Sequence, residues 1–375
     1  MSLSDVLLYP ITRLLFSWCP LRNQLENLPC TQRWLSLVAK DQRVAPLLGF
    51  LDGSLGHWNP VVVCIAGGRD SLDVPVVPEE SLYKRDVKRF NPKKRIFTKQ
   101  EDIELALSTV SDYSLRPYDE GHVSQGPQSP PSLNLDWKRL PAEVGITESL
   151  PEDRLVRKQQ QLESLVEVVC SMAEPGSTIV DFCSGGGHVG ILLAYLLPRS
   201  RVVLVENKER SLKKAEERLR KSCLSNVVLC QCNLDYFVGP FDVGVALHAC
   251  GSATDLVLKK CVEHRASFVL CPCCYGAIRD NHLLSYPLSD DFRSRFSGRM
   301  SSQGLSCYLS LAHGSDQTHS DSEKLEQGRI CMRFVDEDRL KWAETRGYRV
   351  KILRLKPPGA SPKDHLIVGS PKAED

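Results

Sequence analysis

The sequence predicts an α/β fold: a Rossmann-like, doubly wound sheet of seven strands over residues 151–370, preceded by a small helical piece at 1–49. Three observations predict it. From residue 151 onward, short apolar runs alternate with helix-length amphipathic stretches, the order of βα units. The apolar runs show little polar alternation, as strands covered on both faces should. Between the first run and the next helix lies DFCSGGGHVG (181–190), a glycine loop at a strand-to-helix turn.

Residues 1–49 read as helical. Ser2-x-x-Asp5 has capping-box spacing ahead of LLYPITRLLF, and Cys30–Ala39 places Trp34, Leu35 and Val38 on one face. Residues 50–150 hold no steady period and read as an irregular linker; GPQSPPS at 126–132 has linker composition. Inside this segment, YKRDVKRFNPKKRIFTK (83–99) interleaves Tyr83, Phe90 and Phe97 with the basic residues between Lys84 and Lys99. Such a stretch can follow a phosphate backbone and stack bases, which makes RNA a candidate partner. A solvated linker is the plainer reading, since Asn91-Pro92 interrupts any helix there.

The regular part begins with the helix EDRLVRKQQQLESLVEVVCSM after Pro151. TIVDFC is the first strand, HVGILLAYLL the first crossover helix, VVLVE the second strand and ERSLKKAEERLRK its helix. VVLCQCNL, FDVGVALHAC and SFVLCPCC are the third to fifth strands. The helix between the last two starts at Ser252, with Asp255 in capping-box position. The polar segment 313–327 (HGSDQTHSDSEKLEQ) is expected to be a loop over the substrate mouth. The helix DEDRLKWAETRG and two strands, YRVKILRL and DHLIVGS, close the fold, with the last strand antiparallel to the rest.

Composition narrows the function classes. The net charge of +2 does not announce a nucleic-acid partner, so any basic surface must be local. The 15 cysteines are odd in number, and Cys170, Cys230, Cys232 and Cys271 sit in apolar runs; this favours reduced thiols in a cytoplasmic protein over a disulfide framework. No apolar run approaches the length of a membrane helix, and no signal peptide is visible, so no membrane partner is expected.

Gly185-Gly186-Gly187-His188-Val189-Gly190 satisfies the letters of a dinucleotide fingerprint. Asp181 argues against that reading. A pyrophosphate on the helix N-terminus would be repelled by a carboxylate four residues ahead of the loop. S-adenosyl-L-methionine has no phosphate; it carries a sulfonium and an ammonium, so the same carboxylate attracts it. The expected cofactor residues are therefore Asp181, Cys183, Gly185 and Gly187 around the methionine end. Glu206, ending the second strand, is expected on the ribose hydroxyls, and Asn233, ending the third, on the adenine or ribose.

DFCSGGGHVG (181–190), HACGSATD (248–255) and the pair Cys273-Cys274 resemble the methyltransferase group that includes the tRNA 2′-O-methyltransferases with D-x-C-x-G-x-G-H loops. The helices at 1–49 resemble the last helices of the glutathione S-transferase C-terminal domain. The thioredoxin-like half that holds glutathione in that family has no counterpart here, so glutathione binding is not expected. The resemblance implies methyl transfer from S-adenosyl-L-methionine, with RNA among the acceptors. The chain departs from the group at two places. Leu247 stands where the tRNA enzymes carry lysine ahead of His-Leu-Cys-Gly, and Tyr275 replaces the histidine of Cys-Cys-His.

His248 ends the fourth strand, where an imidazole can take a proton from an acceptor hydroxyl or amine; it is the candidate catalytic residue. Cys273, Cys274 and Tyr275 are expected to line the substrate site. Cys271-Pro272-Cys273-Cys274 also permits a thiol nucleophile, or zinc ligands together with His248 or Cys250, although no paired C-x-x-C knuckles accompany it, and no metal is assigned from the sequence. A methyltransferase-fold scaffold without turnover, a nicotinamide oxidoreductase and a glutathione transferase are the rival readings.

Overall fold

The computed structural model describes residues 98–119, 133, 135–146, 149–297, 304–317 and 322–373. The helical reading of 1–49 and nearly all of the Lys84–Lys99 stretch lie outside these residues. The described elements, in order, are α1 (Gln100–Thr109), α2 (Glu152–Met172), β1 (Thr178–Phe182), α3 (His188–Leu196), β2 (Arg201–Glu206), α4 (Glu209–Lys221), β3 (Val227–Gln231) and β4 (Val243–Leu247). They continue with α5 (Ser252–Glu263), β5 (Ser267–Cys271), α6 (Asp290–Ser297), α7 (Gly304–Gly314), α8 (Ser322–Glu344), β6 (Tyr348–Arg354) and β7 (His365–Pro371).

The strands form one seven-stranded sheet in the order β3-β2-β1-β4-β5-β7-β6. β1 to β5 are parallel, and β7 runs antiparallel to both β5 and β6, as the sequence predicts. Alternation within each strand feeds two cores. On β2, Val202 and Leu204 join the core under α2 and α3, while Val203 and Val205 join the core under α5 and the end of α8. Both faces are apolar and covered, which is why the strands read as unbroken runs. The strand order reverses between β1 and β4, so the carboxyl ends of these strands open a crevice beneath the glycine loop.

Three expectations need correction. The segment 50–150 is not irregular throughout: α1 buries Ile103 and Ala106 in a third core built with α6, α7 and α8. The segment 313–327 is not a free loop. His313 and Gly314 end α7, and α8 already begins at Ser322; residues 318–321 lie outside the described set. The later part of α8 buries Cys331, Met332, Phe334, Val335, Leu340 and Ala343 together with four charged residues. Asp336, Glu337, Asp338 and Arg339 are all buried and all have partners inside the protein.

The third correction explains that charged core. Asp255 closes no capping box, and Ser252 is not a helix cap. Gly251 is the N-cap of α5, and the Ser252 hydroxyl donates to the Arg279 carbonyl at 2.9 Å. Asp255 is fully buried and receives Arg339 at 2.6 Å and the Tyr286 hydroxyl at 2.6 Å. Arg339 also reaches Asp336 at 3.0 Å. A guanidinium held between two carboxylates loses its hydration but recovers it as charge-assisted hydrogen bonds. Arg339→Met is expected to lower stability by about 3–5 kcal/mol in urea unfolding, because it strands buried carboxylates. Adding Asp255→Asn should recover part of the loss.

Candidate functional site

The site is built at the ends of β1, β2 and β4. Val180 and Phe182 anchor β1 in one core and Ile179 in the other, leaving Asp181 at the strand's end in register with Leu204 and Val245. Asp181 is buried, and one of its oxygens accepts the Gly190 N–H at 2.9 Å. Gly190 has to be glycine: a Cβ there would stand 2.0 Å from a Leu204 methyl and 3.2 Å from the Asp181 carboxylate. Gly185 and Gly187 adopt positive φ of 57° and 76°. Gly187 serves packing: its Cβ would meet Leu204 at 2.9 Å, so this glycine lets α3 sit close on β2.

Glu206 ends β2 and turns back to the loop. One carboxylate oxygen accepts the Gly185 N–H at 2.9 Å and the other the Lys208 N–H at 2.8 Å. Asn233 follows β3; its side-chain oxygen accepts from Asn207 at 2.9 Å, while its buried NH₂ has no partner. The buried Ser184 hydroxyl, inside the loop, is likewise unsatisfied. Orphaned buried donors of this kind are costly unless a ligand meets them.

A cleft of about 590 Å³ runs along the loop. It is lined by Asp181, Cys183, Ser184, Gly185 and His188, by Leu247 and His248 from the end of β4, and by Ala360–Pro362 between β6 and β7. Two of the three non-glycine residues with positive φ among the described residues, Cys183 (57°) and His248 (66°), lie on this lining. Backbone strain at a cleft marks conformations fixed by their surroundings.

Burial pushes the Asp181 carboxyl up to about 8, against the stabilising Gly190 N–H and helped by the nearby Glu206 charge. Burial raises the Cys183 thiol to about 12. His248 is held below its usual value, first by partial desolvation in the cleft and then by the Lys158 ammonium, so it is neutral at neutral pH.

The structure thus brings Asp181, Cys183, Gly185, Glu206 and His248 together and sets Asn233 on the same strand-end rim. It does not bring Tyr275 to the cleft. That side chain is buried, donates to Asp336 at 2.8 Å and lies against Arg339, so its expected substrate-lining role is corrected to a core one. Cys273 and Cys274 follow β5 on an outer turn and do not line the cleft.

Two features were missed in the sequence. Arg154, Arg157 and Lys158 on α2 project into the same cleft; their i, i+3, i+4 spacing was the available signal. Arg218 of α4 is buried and donates to the Gly186 carbonyl at 2.8 Å and to the carbonyls of Glu143, Val144 and Gly145, tying the loop to the turn at 141–145. Nothing in an exposed-looking basic helix distinguishes that arginine.

Residues 157–281 match the family described as "Methyltransferase domain". The chain is 40% identical to the glutathione S-transferase C-terminal domain-containing protein homolog of Drosophila melanogaster across 98% of its own length. It is 46% identical to the human glutathione S-transferase C-terminal domain-containing protein across 66% of its length. It spans 60% of the fly protein and 39% of the human one. Among solved structures, the magnesium protoporphyrin IX methyltransferase of Synechocystis, with bound SAM, aligns at 12% identity and a TM-score of 0.37, covering 63% of this chain and 89% of that one.

One consequence of the Asp181 environment is measurable without any ligand. Its pKa is near 8 in the folded chain and near 4 unfolded, so the stability that the protonated acid retains should decline as pH rises from about 4 through 8. Urea unfolding across that range should show a smaller decline for Asp181→Asn.

Proposed function

We propose that the chain binds S-adenosyl-L-methionine and transfers its methyl group. The observation that carries this is the set of strand-end groups. Two buried acids, Asp181 and Glu206, stand beside a glycine loop with two orphaned buried donors, Ser184 and Asn233. This set suits a cationic, hydroxyl-rich ligand with a polar ring. Asp181 would hold the ammonium end. Glu206 would exchange its bond to Gly185 for the ribose hydroxyls, and Asn233 would donate to the adenine or ribose. When bound, the cofactor supplies an electrophilic methyl on a sulfonium.

His248 stands at the cleft as a neutral imidazole and takes the proton that an acceptor hydroxyl or amine releases. The acceptor we propose is RNA. Arg154, Arg157 and Lys158 give the cleft a cationic wall that suits a phosphate backbone, and the basic stretch Lys84–Lys99 would add further phosphate contacts. With no described cysteine in a disulfide, a reducing compartment such as the cytoplasm fits the chain. No described helix is long and apolar enough to cross a membrane.

A second reading is a methyltransferase fold that binds partners without turnover. Leu247, on the cleft wall where the tRNA enzymes have lysine, favours it. The first reading expects transfer of labelled methyl from S-adenosyl-L-methionine to fractionated RNA, reduced in His248→Ala. Cofactor binding with no transfer to any fraction supports the second.

Calorimetric titration with S-adenosyl-L-methionine should give binding that Glu206→Ala weakens by about 1–3 kcal/mol. Affinity should rise with pH toward 8, as Asp181 ionises to meet the cation, with proton release on binding; Asp181→Asn should remove that dependence. Replacing Arg154, Arg157 and Lys158 by alanine should weaken RNA binding. The salt slope should fall by about 0.7 for each phosphate that the variant no longer neutralises.

A further inference from the structure

Outside the cleft, three soft donors among the described residues gather in one compact cluster. Cys250 follows β4, and Cys273 and Cys274 follow β5. The Cys250 and Cys273 sulfurs are 3.3 Å apart, those of Cys273 and Cys274 3.6 Å, and all three lie within 4.8 Å of one another. A metal bound to thiolates at about 2.3 Å with tetrahedral angles sets its sulfurs about 3.8 Å apart. The two closest spacings fall a few tenths of an ångström short of that value, so a small opening of the cluster would admit the ion. Cys250 and Cys274 are exposed and Cys273 half-buried, so an ion has a path to all three.

The two turns that carry these thiols are locked to each other. Gly251 has a φ of 58°, and a Cβ there would lie 2.6 Å from the Ala277 carbonyl, so the turns touch backbone to backbone. The Ser252 hydroxyl accepts the Arg279 N–H at 3.0 Å and donates to the Arg279 carbonyl at 2.9 Å, closing the contact from both sides. Cys250 also sits one residue ahead of the N-cap of α5, where the helix dipole favours a thiolate. The cluster is therefore preorganised on the ends of two core strands and does not depend on a loose loop. Among the described residues, no fourth His, Cys, Asp or Glu donor comes within the same radius.

We propose that Cys250, Cys273 and Cys274 bind one zinc ion as thiolates, with the fourth position open to solvent. Binding converts three thiols to thiolates and releases their protons to the medium; no electron changes hands. Three protein ligands and an open position are the arrangement of sites that take an exogenous donor, in contrast to closed structural sites.

The test uses the full chain, expressed with zinc and purified under reducing conditions. Elemental analysis should find about one zinc per chain. Added Co²⁺ should give thiolate-to-cobalt charge-transfer absorption and the intense visible bands of a tetrahedral site. Cys250→Ser, Cys273→Ser and Cys274→Ser should each abolish the charge-transfer bands or weaken Co²⁺ binding by more than about tenfold. Cys223→Ser, at an exposed cysteine just after α4, should leave them unchanged. Zinc should raise the melting temperature of the unmodified chain but not that of Cys274→Ser, whose exposed position leaves folding intact. Absence of metal and of cobalt bands in the reduced chain overturns the proposal. So do bands that survive all three substitutions, or a Cys250–Cys273 disulfide found in place of metal.

Discussion

The hydrogen bond from the Gly190 N–H to Asp181 holds the rest of the site in place. It joins the end of β1 to the first turn of the helix that follows, inside a space too small for a Cβ. Because the helix rides so close to β2, the glycine loop must fold tightly, and Glu206 comes within hydrogen-bond reach of Gly185. Arg218 fixes the loop from the opposite side through the Gly186 carbonyl. The loop is thus gripped from below by one carboxylate, from the neighbouring strand by another and from the outer helix by a guanidinium. Little remains for a ligand to organise, which lowers the entropic cost of binding.

The charges around this loop are segregated. The acids lie at the strand ends, and the cations Arg154, Arg157 and Lys158 stand on α2 across the cleft. In the proposed reading, the cationic cofactor and the RNA backbone would meet different groups of one crevice. His248 lies between these zones, neutral because both its partial burial and Lys158 disfavour a second positive charge there.

The sheet was legible because its signal is local and redundant: apolar runs on both faces, separated by amphipathic helices, with glycine and acid at the first turn. Asp181, Glu206 and His248 could be placed beside the glycine loop or its cleft for the same reason, since each lies at or next to the end of a recognisable strand. The layer made by α1, α6, α7 and α8 was not. The helix at 336–347 was legible, but not that it buries Asp336, Glu337, Asp338 and Arg339, letters that look solvated until partners such as Asp255, Tyr275 and Arg116, distant in sequence, are known. Ser252 and Asp255 mimicked a capping box at the correct spacing, yet tertiary pairing with Arg279 and Arg339 claimed both. Tyr275 failed as a cleft residue because its phenol is needed by Asp336.

Those four consecutive residues of α8 reach in four directions. Asp336 accepts from Tyr275 and pairs with His365 of β7; Glu337 accepts from Arg116 and Tyr113. Asp338 accepts the N–H groups of Leu288 and Ser289, and Arg339 grips Asp255. A helix turns about 100° per residue, so one inserted or deleted residue upstream would swing every one of these side chains to a wrong partner at once. α8 is therefore a keyed shaft whose angular setting is fixed. Variation in chain length along this part of the molecule can accumulate before or after the helix, but not within it.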